Sequence, residues 1–297
     1  MERIELAQGG SLSRLVYGMW RLGDDADTAP AHVQAKVEAC LAQGLTTMDQ
    51  ADIYGDYGAE ELLGAAFRAA PGLRDRVELV TKCSIIAPID KYAMKRVKYY
   101  DTSRTHILAS VNTSLKMMCT DRIDLLLIHR PDPMMNHVEV GRTLDDLVTS
   151  GKVRHVGASN FKLHDWSLLQ SAMQTPLATN QIEISVLEHG AFTNGDIAWM
   201  QERGVPPMAW SPLAGGRIFG AEGQAVMKVL ARIGTAQGVG ADAVAVAWLL
   251  AHPARIMPIL GTNDLARIGR ISDAVRVLMD RETWFDIYTA ALGHEVP

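Results

Sequence analysis

The sequence predicts an α/β fold, a closed (β/α)8 TIM barrel with an N-terminal β-hairpin before it and an extra helix at its C-terminal end. Three observations lead there. Eight short apolar segments are each followed by a stretch of helical periodicity. The segments are apolar runs rather than clean alternations, such as Leu125 to Ile128, which is the pattern of strands buried on both faces. Polar residues capable of chemistry, Asp49, Lys82 and His129 among them, stand where such segments end. In a barrel the active site lies at the C-terminal ends of the strands. The 297 residues could make two domains, but α/β barrels of ~250 residues or more are single domains. Residues 1–297 are therefore expected to form one barrel domain.

Taken in order, residues 3–6 and 12–17 alternate weakly around Gly9-Gly10, which suits a β-hairpin running into a first core strand that ends at Gly18-Met19-Trp20. Helix 29–43 follows, with Val33, Val37, Cys40 and Leu41 on one face and Gly44 as its stop. Strand 45–48 leads into the loop Asp49-Gln-Ala-Asp-Ile-Tyr54-Gly55, then helix 59–70 and the turn Pro71-Gly72. Strand 77–82 opens a long insertion, 83–102, before helix 103–118, whose stripe is Ile107, Val111, Leu115 and Met118. Strand 123–128, helix 139–150, strand 153–158 and helix 163–173 continue the alternation. A short strand, 178–182, precedes helix 194–203, and strand 206–210 precedes a Gly-rich loop. Helices 222–237 and 241–251, strand 256–260, and helices 264–278 and 281–292 complete the chain. The eight strand ends thus fall near residues 18, 49, 82, 129, 159, 181, 210 and 260.

Composition narrows the function classes. The chain is 48% hydrophobic and 21% charged, an ordinary globular balance. A net charge of −5 lacks the basic footprint of a general nucleic-acid binder. No apolar run reaches the ~18 residues of a membrane span, and the N-terminus shows no charged-then-apolar signal segment. Cys40, Cys83 and Cys119 are too scattered for a disulfide framework or a zinc motif, and the nine histidines show no metal-ligand spacing. A reducing cytoplasm, no metal, and no nucleic-acid or membrane partner are expected.

The chemistry begins at residues 49–55. A carboxylate and a phenol five residues apart on a strand-to-helix loop can both enter one cleft. A phenol near pKa ~10 is a poor acid at neutral pH, but a neighbouring cation favours phenolate and lowers that value. Lys82 ends the next strand and supplies a candidate cation, and His129 ends the one after. Taken alone, Tyr54 also suits a loop cap, and Lys82 a lysine snorkelling from a strand end. Four polar residues at three strand ends read as one site.

These residues resemble a known pattern. Asp49-x-Ala-x-x-Tyr54-Gly55, Lys82, the run Ile128-His129-Arg-Pro-Asp132 and Gly151-Lys-Val-Arg-x-x-Gly-Ala-Ser-Asn-Phe161 are similar to the aldo-keto reductase family, over nearly the whole chain. With almost nothing after the last helix, the chain most resembles bacterial short-tailed members. Gln50 departs from the pattern, where threonine is usual. The resemblance implies a catalytic tetrad in which Tyr54 donates the proton, Asp49 and Lys82 form a buried pair, and His129 orients the substrate carbonyl. It implies a nicotinamide cofactor, NADP(H) preferred and NAD(H) possible. That cofactor would meet Gly18, Met19 and Trp20 at the first strand end. Ser159, Asn160 and Gln181 would take its carboxamide and Trp210 its ring. Ser159-Asn160 otherwise suits loop capping, and Trp210 the core.

The loop Ser211-Pro212-Leu213-Ala-Gly215-Gly216-Arg217 suits a pyrophosphate, because glycines admit the backbone and arginine supplies charge-assisted hydrogen bonds. Gly261, Thr262, Asn263 and Arg267 open the last helix, whose N-terminus attracts anions; the family places the adenosine 2′-phosphate there. Asp264, the absence of lysine from 261–266, and Arg270-Ile271 depart from the family pattern. Gly238-x-Gly-x-x-Ala243 matches a dinucleotide fingerprint in letters only, since a helix precedes it. The insertion 83–102, with Tyr92, Tyr99, Tyr100 and several aliphatic residues, is expected to wall the substrate pocket.

The expected activity is reduction of a small aldehyde or ketone by a monomeric enzyme. Two alternatives remain at this level: a barrel lyase using Lys82 as a Schiff base, and a cofactor-sensing binding subunit with weak turnover.

Overall fold

The computed structural model describes residues 1–7 and 9–297. A hairpin of β1 (Arg3–Glu5) and β2 (Ser11–Ser13) comes first. The first barrel strand, β3 (Val16–Gly18), is followed by α1 (Pro30–Leu41), β4 (Thr47–Asp49), α2 (Tyr54–Tyr57), α3 (Ala59–Ala69) and β5 (Glu78–Cys83). A second hairpin, β6 (Ile85–Ile86) with β7 (Tyr99–Tyr100), precedes α4 (Arg104–Met117), β8 (Ile123–Ile128), α5 (His137–Thr149) and β9 (Val153–Ser159). Then come α6 (Leu163–Gln170), β10 (Asn180–Glu183), α7 (Asp196–Glu202), β11 (Met208–Trp210), α8 (Gln224–Gln237), α9 (Ala241–Leu250), β12 (Met257–Leu260), α10 (Leu265–Ile268) and α11 (Arg281–Leu292). Strands β3, β4, β5, β8, β9, β10, β11 and β12 pair in parallel in that order, and β12 closes back on β3. The expected (β/α)8 barrel is formed.

Side chains alternate across each strand with a period of two, which sorts the barrel into an apolar floor and a polar mouth. Val80, Leu125, Leu127, Met208, Met257 and Ile259 fill the interior, and Ile4, Leu6 and Leu12 of the first hairpin pack against them as a plug. Two residues on from Val80, Leu127 and Met208 stand Lys82, His129 and Trp210. The catalytic candidates are thus the next inward-facing layer above the core.

The last segment differs from expectation. Residues 264–278 do not form one helix: α10 ends at Gly269, and a 3-10 turn covers Ile271–Arg276. The buried positions Ile268, Ile271 and Ala274 are three apart, which matches three residues per turn rather than 3.6. Gly269 supplies the break. The Gly238 segment is the helix–helix turn expected of it, with Gly238 left-handed at φ 69° after α8. Among the described residues no single helix is both long and apolar enough to cross a membrane.

The C-terminal helix is held by aromatic contacts. Trp248 on α9 and Trp284 on α11 stack at 4.7 Å and 14°, and each indole N–H donates to the other's backbone carbonyl at 3.0 Å.

Candidate active site

Lys82 sits at the centre of the barrel mouth and is 1% exposed. Its ammonium donates to Asp49 Oδ2 at 2.8 Å, to the Gln50 carbonyl at 2.8 Å and to Tyr54 Oη at 3.0 Å. These are the three donors an ammonium has. Burial works against the charge on Lys82, but Asp49 and Tyr54 together outweigh it and raise its pKa. A Schiff base needs a neutral amine with a free lone pair. The structure holds this one charged and fully hydrogen-bonded, so the lyase alternative is set aside.

Burial lifts the Tyr54 phenol above its ordinary value, while Lys82 and Arg130 pull it down. This corrects the expectation that the cation would lower the pKa outright; removing the phenol from water has the larger effect. The sequence places the cation correctly but does not reveal the depth of burial. His129 lies 6.0 Å from Tyr54, ring edge to face. Its imidazole is held well below its usual pKa by burial first, then by Lys82, Arg130 and Lys98, so it is neutral at physiological pH. Its Nδ1 is buried and meets no hydrogen-bond partner among the described residues.

The loop geometry explains the motif. Gly55 is left-handed at φ 55°, and a Cβ there would also press on the Ala59 Cβ at 3.3 Å. Gln50, the departure from the family pattern, reaches the Ala59 carbonyl with its side-chain amide at 3.2 Å. Its backbone carbonyl, which any residue has, makes the contact to Lys82.

The residues expected at the nicotinamide are linked to one another. Gln181 donates to Asp49 Oδ1 at 2.9 Å, and Ser159 donates to the Gln181 carbonyl at 2.9 Å. Asn160, left-handed at φ 61°, donates to Ser159 Oγ at 2.9 Å and accepts from the Trp210 indole at 3.0 Å. The chain of bonds fixes Trp210 relative to Asp49. At the first strand end, Gly18 is packed so tightly on Ile259 that a Cβ would meet its Cγ2 at 2.8 Å. Met19 is 1% exposed and turned into the core beside Gln50, so its side chain is not available to a cofactor. Trp20 is 59% exposed, with Arg21 5.4 Å over its ring.

The loop after β11 fits a pyrophosphate. Gly215 and Gly216 are left-handed, and a Cβ built on either meets nothing within 4 Å, which leaves an open cradle of backbone. Ser211 is left-handed too, Pro212 and Leu213 complete the turn, and Arg217 lies 2.9 Å from Glu222 and 3.9 Å from Glu183.

The last loop corrects a second expectation. Asp264 caps α10, accepting from the amides of Ala266 at 2.8 Å and Arg267 at 3.2 Å. The first-turn N–H groups expected for a phosphate are therefore taken by a carboxylate, and α10 has only four residues. Arg267 itself is exposed and 3.8 Å from Asp264. Gly261 packs on Gly18, Thr262 lends its carbonyl to Tyr17 at 2.8 Å, and Asn263 bridges the Arg21 carbonyl at 2.6 Å and the buried Lys36 at 3.1 Å. Lys36 and its ion pair with Asp25 were not legible in the sequence, where Lys36 lies next to the apolar stripe of α1.

The insertion docks on Tyr57, at the end of the short helix that Tyr54 begins. Tyr57, three residues after Tyr54, donates to the Ile85 carbonyl at 3.2 Å and accepts from the Ala87 amide at 3.0 Å. Tyr92 packs edge-on against Tyr57 at 5.2 Å, while Met94 and Val97 stand in solvent.

A parallel eight-stranded barrel with a buried Asp–Lys pair bonded to a tyrosine, all at strand ends, defines a class. A sequence model described as the aldo/keto reductase family matches residues 14–290, and the chain belongs to that family of oxidoreductases, which reduce carbonyl groups. Among curated proteins it is 62% identical over 296 residues to a 6-dehydroglucose reductase of Agrobacterium fabrum, covering all of both chains. It is 40% identical over 298 residues to a 6-dehydroglucose reductase of Novosphingobium aromaticivorans, covering 97% of this chain and 95% of that one. Among solved structures it is similar to an aldo/keto reductase from Klebsiella pneumoniae in complex with NADP and acetate. The TM-score is 0.78 and the identity 23%, over 96% of this chain and 93% of that one. Nothing in these similarities favours the binding-subunit alternative.

Proposed function

We propose that this protein reduces the aldehyde of a hydroxyl-rich sugar derivative of the 6-dehydroglucose type, with NADPH in preference to NADH. The observation that carries the reaction type is the contact of 3.0 Å between Lys82 and Tyr54 inside a buried ion pair. Support for the substrate class is the full-length identity of 62% to a protein named for that substrate.

The residues present fit a nicotinamide dinucleotide. The open backbone at Gly215 and Gly216, with Arg217 beside it, suits the pyrophosphate, and the Trp210 indole held by Asn160 suits the nicotinamide end. Ser159, Asn160 and Gln181 would face the carboxamide, and Arg267 the 2′-phosphate. When bound, the reduced cofactor supplies the hydride that attacks the carbonyl carbon.

The protein handles the proton. Burial keeps the Tyr54 phenol protonated at neutral pH, so a proton is always present to give. As negative charge grows on the carbonyl oxygen and the proton leaves, Lys82 stabilises the nascent phenolate at hydrogen-bond distance. Asp49 holds the ammonium in place, and Gln181 holds Asp49. His129, kept neutral, offers a ring N–H rather than a second positive charge to the carbonyl oxygen.

The test is turnover of 6-dehydroglucose followed by loss of NADPH absorbance, in wild type and Tyr54→Phe. We expect wild-type turnover and a fall in kcat of about 10²-fold or more in the variant, with cofactor affinity retained. Near wild-type turnover in Tyr54→Phe removes the phenol from the mechanism.

A further inference from the structure

Arg130 directly follows His129 at the end of β8, and its guanidinium lies 5.9 Å from the centre of the Trp210 ring. It is half-buried. Other arginines that leave the solvent are hydrogen-bonded: Arg14 to the Leu250 carbonyl, Arg74 to Asp124, Arg122 to Asp75. Arg130 donates no hydrogen bond and forms no ion pair among the described residues. Five N–H donors in a planar fork therefore face the mouth of the site with no protein acceptor. Their charge reaches the reacting groups, since it acts on Tyr54, His129 and Glu183.

The surroundings say what kind of oxygen this fork would meet. Glu183 is paired in register with Trp210 across the β10–β11 ladder, so a carboxylate flanks the same indole. It follows Gln181 by two residues and so points the same way, one layer nearer the mouth. Its closest cation, Arg217, is 3.9 Å away, outside hydrogen-bond distance. A donor fork and an acceptor carboxylate around one aromatic ring suit groups that both accept and donate. Hydroxyls do so; a carboxylate substrate would meet Glu183 as a like charge, and an alkyl aldehyde would offer Arg130 no acceptor.

We propose that Arg130 is a specificity-determining residue, which selects polyhydroxylated aldehydes by donating to hydroxyl oxygens near the reacting carbonyl. The inference rests on the sugar-aldehyde reading above. It is tested with a pair of small substrates that differ in two hydroxyls, glyceraldehyde and propanal, in wild type, Arg130→Leu and Arg130→Lys. We expect Arg130→Leu to lower kcat/KM for glyceraldehyde by about 10-fold or more, the loss of a charged hydrogen-bonding contact. Propanal, which has no hydroxyl for the fork to reach, should lose clearly less than glyceraldehyde, and the NADPH dissociation constant should hold. Arg130→Lys, which keeps the charge but not the fork, should recover part of the loss.

Equal losses for both aldehydes, or a loss seen only in NADPH affinity, overturns the proposal. So does an Arg130→Leu that spares glyceraldehyde but disables a carboxylate-bearing aldehyde such as glyoxylate. If wild type turns over glyceraldehyde with the Arg130 discrimination intact but leaves 6-dehydroglucose untouched, the substrate assignment fails and the role of Arg130 stands.

Discussion

Gln181 and Asp49 lie 132 positions apart and meet at 2.9 Å across the barrel mouth. Asp49 is thereby held from both sides, by the Gln181 amide on Oδ1 and by Lys82 on Oδ2. Replacing Gln181 with leucine leaves one buried carboxylate oxygen without a donor. The cost of such a group is about 1–3 kcal/mol. We expect Gln181→Leu to lower unfolding stability by that amount in urea titrations. A variant as stable as wild type shows that the bond contributes nothing net.

Asp264 and Arg267 act in opposite senses on an anion at the last loop, one by repulsion and one by attraction. Arg267→Ala should weaken NADPH binding by roughly 2–3 kcal/mol and leave NADH nearly unchanged, as one charged contact would. Asp264→Asn keeps a side-chain oxygen for the cap but removes the negative charge beside the expected phosphate. It should tighten NADPH several-fold without affecting NADH. Titrations of both cofactors by fluorescence decide; parallel changes in the two cofactors would place the effect on helix structure instead.

Asp52, on the loop between Asp49 and Tyr54, is buried, with Oδ2 accepting from Ser110 at 2.7 Å and Oδ1 meeting no donor among the described residues. Burial pushes its carboxyl up to about 7, with Glu60 adding to the shift and Ser110 and Lys91 opposing it. The unfolded value is ~3.9, so the folded protein binds the extra proton between the two values. Stability from this group is complete below the unfolded pKa and is lost as pH rises through the folded one. Urea unfolding at pH 5 and pH 8 should show a loss in wild type, of roughly 2–4 kcal/mol from Asp52, that Asp52→Asn removes. An identical pH slope in the two proteins excludes Asp52 as its source.

Trp284 anchors α11 through the stacked, doubly hydrogen-bonded pair with Trp248. Truncating a large aromatic in a packed setting costs about 3–5 kcal/mol. Trp284→Ala should lower the melting temperature by several degrees, while Trp284→Phe, which keeps a ring but not the N–H, should lose less. The aromatic contacts of this pair are with Phe192, Phe285 and Tyr288 and not with the residues of the active site, so kcat below the transition should hold.

The sequence by itself determined the barrel, the order of its strands and the strand ends that carry Asp49, Tyr54, Lys82 and His129. Those features are encoded locally: apolar runs, helical periodicity and turn residues act within a few positions of one another, and a barrel converts strand ends into a common site. It also placed the glycine cradle, because Gly215 and Gly216 permit a backbone that other residues resist. Only the tertiary structure decided how the site is wired. That Gln181 supports Asp49, that Lys36 joins Asp25 to Asn263, and that Arg130 donates to no acceptor among the described residues depend on distances between residues from 11 to 227 positions apart. That Asp264 has already taken the amides of α10 depends on a side-chain rotamer, which residue type permits but does not impose. The rise in the Tyr54 pKa has the same origin: the neighbouring cation is visible in the sequence, whereas the exclusion of water is a property of the closed barrel.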